Sequence, residues 1–341
     1  MAALPPIDFP AFVPHSVARG ARTQTVLGSF SKRKLGDFEE RAESRILRTD
    51  ETTRIRVEID RPEPRERASG SGLVVLHGLG GSASSRYVLG TAQKARDAGF
   101  TVVRVNARNC GDTAELTSRP YNGEDTADIA RAAHELVEAE GVERVHLVGF
   151  SVGGNQTLRL AAEWSADPPP WLTSVCVVSP CIDFAAASDG LRQGLFRRSV
   201  QTYFLDGLKD IVRARAALDP TIDLAPLEGV DSIRAFDDAY TAPLSGYPDA
   251  DAYYRGASMR GRLHELRVPT LLVASRDDPL VPFACFEENL DGAPVRLLAT
   301  DEGGHVGFLG SGPASNASWQ DVDRRWAENR VVQFARSIES A

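Results

Sequence analysis

Short unbroken apolar runs alternate with amphipathic stretches along most of the chain. Such runs are typical of strands buried on both faces of a sheet, whereas apolar residues three or four positions apart indicate helices. The predicted strands are Thr53–Asp60, Leu73–Leu76, Thr101–Val105, Val145–Val148, Val175–Val178, Thr270–Val273 and Val295–Leu298. The predicted helices are near Ser84–Ala98, Ala127–Ala139, Val152–Trp164, Pro282–Leu290 and Trp319–Ile338. This alternation predicts an α/β fold with a mostly parallel, doubly wound sheet.

Two intervals depart from the alternation. Residues 1–45 contain several prolines and are predicted to be an irregular segment that packs on the core. The interval between Pro180 and Val268 has helical and loop patterns but no clear buried strand. We expect it to be an insertion over the C-terminal edge of the sheet, where open α/β sheets bind ligands. The predicted organisation is a core of residues 46–182 and 266–341, with a helical lid at 183–265.

Composition excludes several classes of protein. The chain has 341 residues, a net charge of −8 and an isoelectric point near 5.4, which argues against a nucleic-acid partner. Neither a signal peptide nor a stretch of 18 apolar residues is evident, so no transmembrane segment is expected. The four cysteines form no CxxC pair, which indicates reduced thiols and a cytoplasmic protein. They are Cys110, Cys176, Cys181 and Cys285.

The glycine-rich stretch LVVLHGLGGSAS, residues 73–84, has two interpretations. Gly78, Gly80 and Ala83 fit the G-x-G-x-x-A pattern that holds a dinucleotide pyrophosphate after a strand. The next strand lacks the acidic residue that binds the ribose, so Arg104 or Arg108 would have to bind the 2′-phosphate of NADP. Alternatively, the glycines expose a backbone N–H that binds the oxyanion formed during acyl transfer.

A second glycine motif favours acyl transfer. Residues 145–155 read VHLVGFSVGGN, in which Gly149, Ser151 and Gly153 form G-x-S-x-G between a predicted strand and a predicted helix. A tight turn there exposes the serine hydroxyl and leaves room only for small flanking residues. A serine that merely caps the helix is the structural alternative.

A serine nucleophile needs a base and an orienting acid, in the chain order Ser, Asp or Glu, His. His264 and His305 are the histidines that follow Ser151, and His264 precedes the last predicted strands. His305 lies in the loop DEGGHVGF after the final strand, where an imidazole reaches the C-terminal edge of the sheet. The acid follows the preceding strand as Asp277 or Asp278, and we favour Asp278 because it begins a D-x-x-V-P sequence.

The oxyanion is then expected to bind two backbone N–H groups, those of Leu79 and Val152. This interpretation explains both glycine loops, whereas the dinucleotide interpretation explains one. The chemistry needs no cofactor. No metal site is expected either, because HELVE at 134–138 and HELRV at 264–268 both lack the second histidine of H-E-x-x-H.

At this point the chain resembles the YheT-like branch of the α/β-hydrolases over nearly its whole length. The matching pieces are HGLGGSASS, VVRVNARNCGDT, VHLVGFSVGGN, FDDAYTAPLSGY, DAYYRGASM, VPTLLVASRDDP and GGHVGFLG. The resemblance implies an α/β-hydrolase fold with a helical lid after the sixth strand. It also implies an ester hydrolase with Ser151, Asp278 and His305 as its triad. Relatives are esterases or lipases, some of which act on medium-chain acyl glycerides or phospholipids.

The sequence departs from this branch in two places. The branch often carries N-x-H-x-Q-T near its N-terminus, whereas GARTQT keeps Gln24 and Thr25 but has Arg22 in place of the histidine. Animal relatives carry an N-terminal membrane anchor, and none is expected here.

The segment Leu191–Leu218 is predicted to form one or two amphipathic helices. Its apolar side would line an acyl pocket, and its arginines and Lys209 would allow peripheral contact with anionic lipid. A solvated helix packed on the sheet is the alternative. The leading hypothesis is therefore a serine hydrolase for short- to medium-chain, lipid-like esters. A thioesterase, a non-catalytic ligand-binding protein and, last, an NADP-dependent oxidoreductase are the alternatives, and the oligomeric state is open.

Overall fold

A computed structural model describes residues 4–64, 68–287 and 294–340. Within these residues, eight strands form one sheet in the order β1-β2-β4-β3-β5-β6-β7-β8. The strands are β1 (Glu43–Arg48), β2 (Arg54–Asp60), β3 (Ser71–Leu76), β4 (Thr101–Val105), β5 (Arg144–Phe150), β6 (Leu172–Val178), β7 (Thr270–Ser275) and β8 (Val295–Thr300). The α-helices are α1 (Ala21–Phe30), α2 (Arg86–Asp97), α3 (Ala127–Glu138), α4 (Val152–Glu163), α5 (Phe184–Leu191), α6 (Gly194–Leu218), α7 (Ile233–Phe236), α8 (Ala242–Leu244), α9 (Ala250–Ala257), α10 (Ala284–Glu287) and α11 (Trp326–Glu339).

The sheet is antiparallel at one edge and parallel elsewhere. The strand β2 pairs antiparallel with both β1 and β4, and every pairing from β4 to β8 is parallel. Leu76 of β3 lies opposite Gly149 of β5, and Gly149 lies opposite Val177 of β6. The loops that follow these strands therefore open at one edge of the sheet, which is the expected position of a ligand site.

Apolar side chains cover both faces of the sheet. One cluster packs α3 and α4 against the sheet, and a second packs α2 and α11 against the opposite face. All residues of β3 and β7 are buried. This two-sided burial explains why the parallel strands are continuous apolar runs in the sequence.

The prediction that residues 1–45 are irregular is wrong for part of this segment. It contains α1 and the start of β1. The buried positions of α1 are Gln24, Thr25 and Gly28, so this helix has no apolar stripe that a sequence pattern would reveal. The strand β1 lies at the sheet edge with mostly exposed side chains, and it is equally inconspicuous.

The last helix begins at Trp326 rather than at Trp319. Before it, Asn316 accepts hydrogen bonds from the backbone N–H groups of Ser318 and Trp319, and Asp323 accepts one from Arg325. Such side-chain bonds favour turns over helix. The predicted helix near 282–290 is described only as α10, and residues 288–290 lie outside the described residues.

The interval 183–265 contains helices and turns, and no strand occurs among its residues, all of which are described. Its own apolar cluster joins α6 and α7 to Leu191 and Leu280. Because Leu280 lies in the loop after β7, this cluster seats the helices above the C-terminal edge of the sheet. None of the described helices is both long and apolar enough to cross a bilayer.

Candidate active site

Ser151 occupies a strained turn between β5 and α4. Its backbone has φ 52° and ψ −120°, a region that costs a non-glycine residue about 1–3 kcal/mol. The surrounding backbone holds the turn: the Ser151 carbonyl accepts N–H bonds from Gly154, Asn155 and Cys181, at 3.0, 3.2 and 3.0 Å. The Ser151 N–H donates to the carbonyl of Val178 at 3.0 Å. The turn directs the side chain towards His305 at the C-terminal edge of the sheet.

Gly149 and Gly153, which flank Ser151, have no room for a side chain. A Cβ on Gly149 would lie 2.4 Å from the Gly153 carbonyl oxygen, and a Cβ on Gly153 would lie 2.2 Å from the carbonyl oxygen of His77. Both obstacles are backbone atoms, which have little freedom to move. The G-x-S-x-G spacing is thus a packing requirement of this turn.

The structure brings the three expected triad residues into one hydrogen-bonded chain. Nε2 of His305 lies 2.8 Å from Oγ of Ser151, and Nδ1 of His305 lies 2.9 Å from Oδ2 of Asp278. The other carboxylate oxygen of Asp278 accepts N–H bonds from Leu280 and Val281 at 2.8 and 3.0 Å. Asp278 and His305 are buried. The arrangement matches that of a nucleophile, a base and an orienting acid.

Asp277 has a different position. Its Oδ1 accepts an N–H bond from Gly304 at 2.8 Å and a hydrogen bond from the Ser275 hydroxyl. Asp277 therefore ties the end of β7 to the loop that carries His305, and the carboxylate beside the imidazole is that of Asp278.

The helix α1 holds the His305 loop, a contact that sequence reasoning missed. The His305 N–H donates to Oγ1 of Thr25 at 2.9 Å. The Gln24 amide bonds both backbone groups of Leu309, donating to its carbonyl at 3.0 Å and accepting from its N–H at 2.7 Å. A Cβ on Gly307 would lie 2.4 Å from the Gln24 carbonyl oxygen. The signal in the sequence was the retained Gln-Thr pair of GARTQT.

Two backbone N–H groups beside Ser151 have no hydrogen-bond partner among the described residues. Val152 is the first residue of α4, and Leu79 follows Gly78 in the loop after β3. Neither N–H donates to any atom of the described residues. Gly78 is close to the serine, since a Cβ there would lie 2.9 Å from Cβ of Ser151.

His77 fixes the loop that carries Leu79. Burial lowers the pKa of the His77 imidazole to about 4, so the ring is neutral at pH 7. The Ala107 N–H donates to Nε2 at 3.1 Å, so the proton is on Nδ1, which donates to the Gly78 carbonyl at 2.7 Å. The ring thereby joins the ends of β3 and β4.

The arginines of the dinucleotide interpretation are occupied elsewhere. Arg104 is buried and donates to Asp60 at 2.7 Å and to the Ala83 carbonyl at 2.9 Å. Arg108 is buried and donates to Asp128 at 2.9 Å. Neither guanidinium is exposed to receive a 2′-phosphate.

A deep pocket opens beside Ser151 and His305. It lies under the 183–265 helices and is lined mostly by apolar side chains, among them Val152, Phe184, Leu191, Phe204, Leu208, Ile233 and Val281. One acid lies in its wall. Burial raises the pKa of Asp237 to about 6, although hydrogen bonds from the Thr241 and Tyr254 hydroxyls act in the opposite direction. The remaining lining suits a hydrocarbon chain.

A wider groove reaches Ser151 and His305 from the other side. Its walls are α1, the glycine loop after β3, the start of α2 and one side of α6. The Phe30 ring of α1 contacts the Tyr203 ring of α6 at a centroid distance of 6.0 Å, and both side chains are more than half exposed. Phe204 and Leu280 line both the groove and the pocket, so the two cavities meet at Ser151.

Fold and site together define an α/β-hydrolase. Residues 73–316 match the model of the alpha/beta hydrolase family, and the chain belongs to this family. Within it, the chain is 35% identical to YheT of Escherichia coli over 70% of both chains. The resemblance to the YheT-like branch is confirmed.

Two further comparisons extend this result. The chain is 26% identical to the medium-chain fatty acid ethyl ester synthase/esterase 2 of Saccharomyces cerevisiae, over 77% of this chain and 61% of the yeast protein. Among solved structures, an esterase of Pyrococcus furiosus superimposes with a TM-score of 0.55 at 16% identity, covering 97% of this chain and 98% of that one. The second comparison supports the fold alone.

Proposed function

We propose that this α/β-hydrolase is a carboxylic ester hydrolase in which Ser151 is the nucleophile, His305 the general base and Asp278 the orienting acid. The continuous hydrogen-bonded chain from Ser151 through His305 to Asp278 carries the proposal. Membership of the family and an esterase among the relatives support ester hydrolysis as the chemistry.

In the first half of the reaction, Oγ of Ser151 attacks the acyl carbon while Nε2 of His305 takes its proton. The N–H groups of Leu79 and Val152 bind the oxygen that becomes negative. His305 then gives the proton to the leaving alcohol, and an acyl-enzyme remains. Water, deprotonated by the same imidazole, releases the acid. Asp278 keeps the imidazole in one tautomer and stabilises its charged form.

The two cavities suggest how the substrate is divided. We assign the acyl chain to the deep apolar pocket and the alcohol to the groove between α1 and α6. Residues 183–265 would act as the lid, because they supply most of the pocket wall. The small volume of the pocket, about 100 Å³, favours short- to medium-chain acyl groups. Thioesters are further candidates, since their acyl carbon is attacked by the same groups.

Hydrolysis of p-nitrophenyl esters from acetyl to palmitoyl tests the proposal, with wild type beside Ser151→Ala. We expect activity with a maximum at short or medium length and a loss of at least about 10³-fold in the variant. Ser44→Ala is the matched control, because Ser44 is exposed on the edge strand β1 and lies outside the triad and both cavities.

Labelling by a fluorophosphonate distinguishes the remaining alternatives. Labelling at Ser151 without turnover of any oxygen ester would favour a thioesterase or an unusual ester. Absence of both labelling and turnover would favour a non-catalytic ligand-binding protein. Activity retained in Ser151→Ala would refute the assignment of the nucleophile.

The proposal places the enzyme in the cytoplasm and requires no metal or cofactor. All four cysteines are buried, and burial raises the pKa of Cys110, so that this thiol stays protonated. Such thiols are inert and suit a reducing compartment.

A further inference from the structure

The charge of this protein is distributed unevenly. The whole chain has 47 acidic and 39 basic residues, yet segments 9–36 and 190–205 contain no Asp or Glu. Their basic residues are Arg19, Arg22, Lys32, Arg33, Lys34, Arg192, Arg197 and Arg198. Two basic segments without acidic residues, on a chain of net charge −8, call for an anionic partner.

Most of these cations are available. Arg33 is engaged by the buried carboxylate of Glu328. The other seven form no ion pair with any carboxylate in the described part of the chain, and all but Arg197 are exposed. A second acid, Glu302, accepts an N–H bond from Gly20 of the first segment.

The same two segments hold a concentration of exposed apolar side chains. Among the described residues, eleven large hydrophobic side chains are classed as exposed, and six of them lie in these segments. The six are Val13, Val17, Val26, Phe30, Leu195 and Tyr203. Exposed apolar groups beside unpaired cations are typical of surfaces that bind lipid bilayers.

The two segments meet at the entrance to the proposed active site. The Arg22 guanidinium lies 5.5 Å from the centre of the Phe196 ring, and the Phe30 ring contacts Tyr203. These two contacts join α1 to α6. Val26, Phe30 and Tyr203 also line the groove that ends at Ser151.

We propose that this surface, formed by residues 9–36 and 190–205, docks on an anionic lipid bilayer. The cations bind the headgroups, and Phe30 and Tyr203 enter the boundary between headgroups and acyl chains. A lipid ester then passes from the bilayer into the groove without crossing water. The fate of that ester rests on the proposed ester hydrolysis, whereas docking on the bilayer does not require turnover.

Vesicle flotation of the Ser151→Ala protein tests docking apart from catalysis. We expect binding to vesicles of equal parts phosphatidylcholine and phosphatidylglycerol, weak binding to phosphatidylcholine alone, and loss of binding at high salt. If the protein stays unbound on the anionic vesicles, the proposal is wrong even where the wild type hydrolyses esters.

Matched variants locate the surface. Lys32→Gln/Lys34→Gln should weaken vesicle binding about 25-fold, because each cation near an anionic surface contributes about fivefold. Arg54→Gln/Arg255→Gln removes two exposed cations outside the two segments and should leave binding unchanged. An equal loss in both pairs would mean that net charge, not this surface, governs binding.

The apolar contribution has its own test. Phe30→Ser and Tyr203→Ser should each weaken vesicle binding about tenfold, whereas Leu244→Ser, at another exposed apolar position, should not. If neither Phe30 nor Tyr203 matters, the surface binds anions without entering the bilayer and fits an acidic protein instead. A stable dimer that buries Phe30 in solution would also overturn the proposal.

Discussion

The adjacent carboxylates of Asp277 and Asp278 bind different groups in this site. Asp278 binds the His305 imidazole, whereas Asp277 binds the backbone N–H of the loop that carries it. We expect Asp278→Asn to lower kcat by about 10³–10⁴-fold, because asparagine stabilises the wrong histidine tautomer.

Asp277→Asn is the matched comparison. Its remaining carbonyl oxygen still accepts the Gly304 N–H, so we expect less than about a tenfold loss of kcat. Steady-state kinetics with one p-nitrophenyl ester measure both variants. The reverse ranking would transfer the orienting role to Asp277.

For the proposed triad, the sequence indicates one serine and one histidine but leaves two candidates for the acid. Ser151 is recognisable because a tight turn permits few neighbours, and His305 is recognisable by its place after the last strand. Asp277 and Asp278 share the same strand end, so spacing alone does not rank them. Their roles depend on which carboxylate meets the imidazole, and that depends on side-chain direction.

At the scale of elements, α1 supports the loop that carries His305, the proposed base. Thr25→Val keeps the shape of the side chain but leaves the buried His305 N–H without an acceptor, which costs about 1–3 kcal/mol. We expect kcat to fall about tenfold with little change in KM, and the melting temperature to fall by a few degrees.

Thr25→Ser is the control, because it restores the hydroxyl. Serine should return kcat to near the wild-type value if the hydrogen bond positions His305. If valine and serine behave alike, the contact is one of packing only.

The parallel strands and the helices that cover them were predictable because burial on both faces makes an apolar run and one-sided packing makes a stripe. The helix α1 and the strand β1 carry neither signal: one is buried through Gln24, Thr25 and Gly28, and the other is an exposed edge. The early start assigned to the last helix had a local cause, since Asn316 and Asp323 bond the backbone in turns. The helix α1 and the strand β1 are defined by tertiary contacts, which no local pattern encodes.

At the scale of the whole molecule, the acid in the pocket wall affects stability. The pKa of Asp237 is about 6 in the folded protein against 3.8 for an ordinary aspartate, so folding opposes its ionisation. The cost is fully present above pH 6, roughly 2–3 kcal/mol, and it disappears as the pH falls towards 4.

Asp237→Asn should therefore raise the melting temperature by a few degrees at pH 8 and by little at pH 4. Asparagine keeps an oxygen that accepts the Tyr254 hydroxyl. Thermal unfolding across this pH range measures the difference. Asp238→Asn, at the exposed neighbouring position, should show no such dependence. A gain that is independent of pH would argue against ionisation as the cause.

The contact between Thr25 and His305 joins residues that are 280 positions apart in the chain. A ribosome makes the nucleophile turn and most of the sheet long before it makes the loop that must meet α1. Until that loop is synthesised, Ser151 has no base beside it, and α1 lacks the loop that it binds in the folded protein. In the proposed mechanism, activity therefore begins only when the chain closes this contact across most of its length.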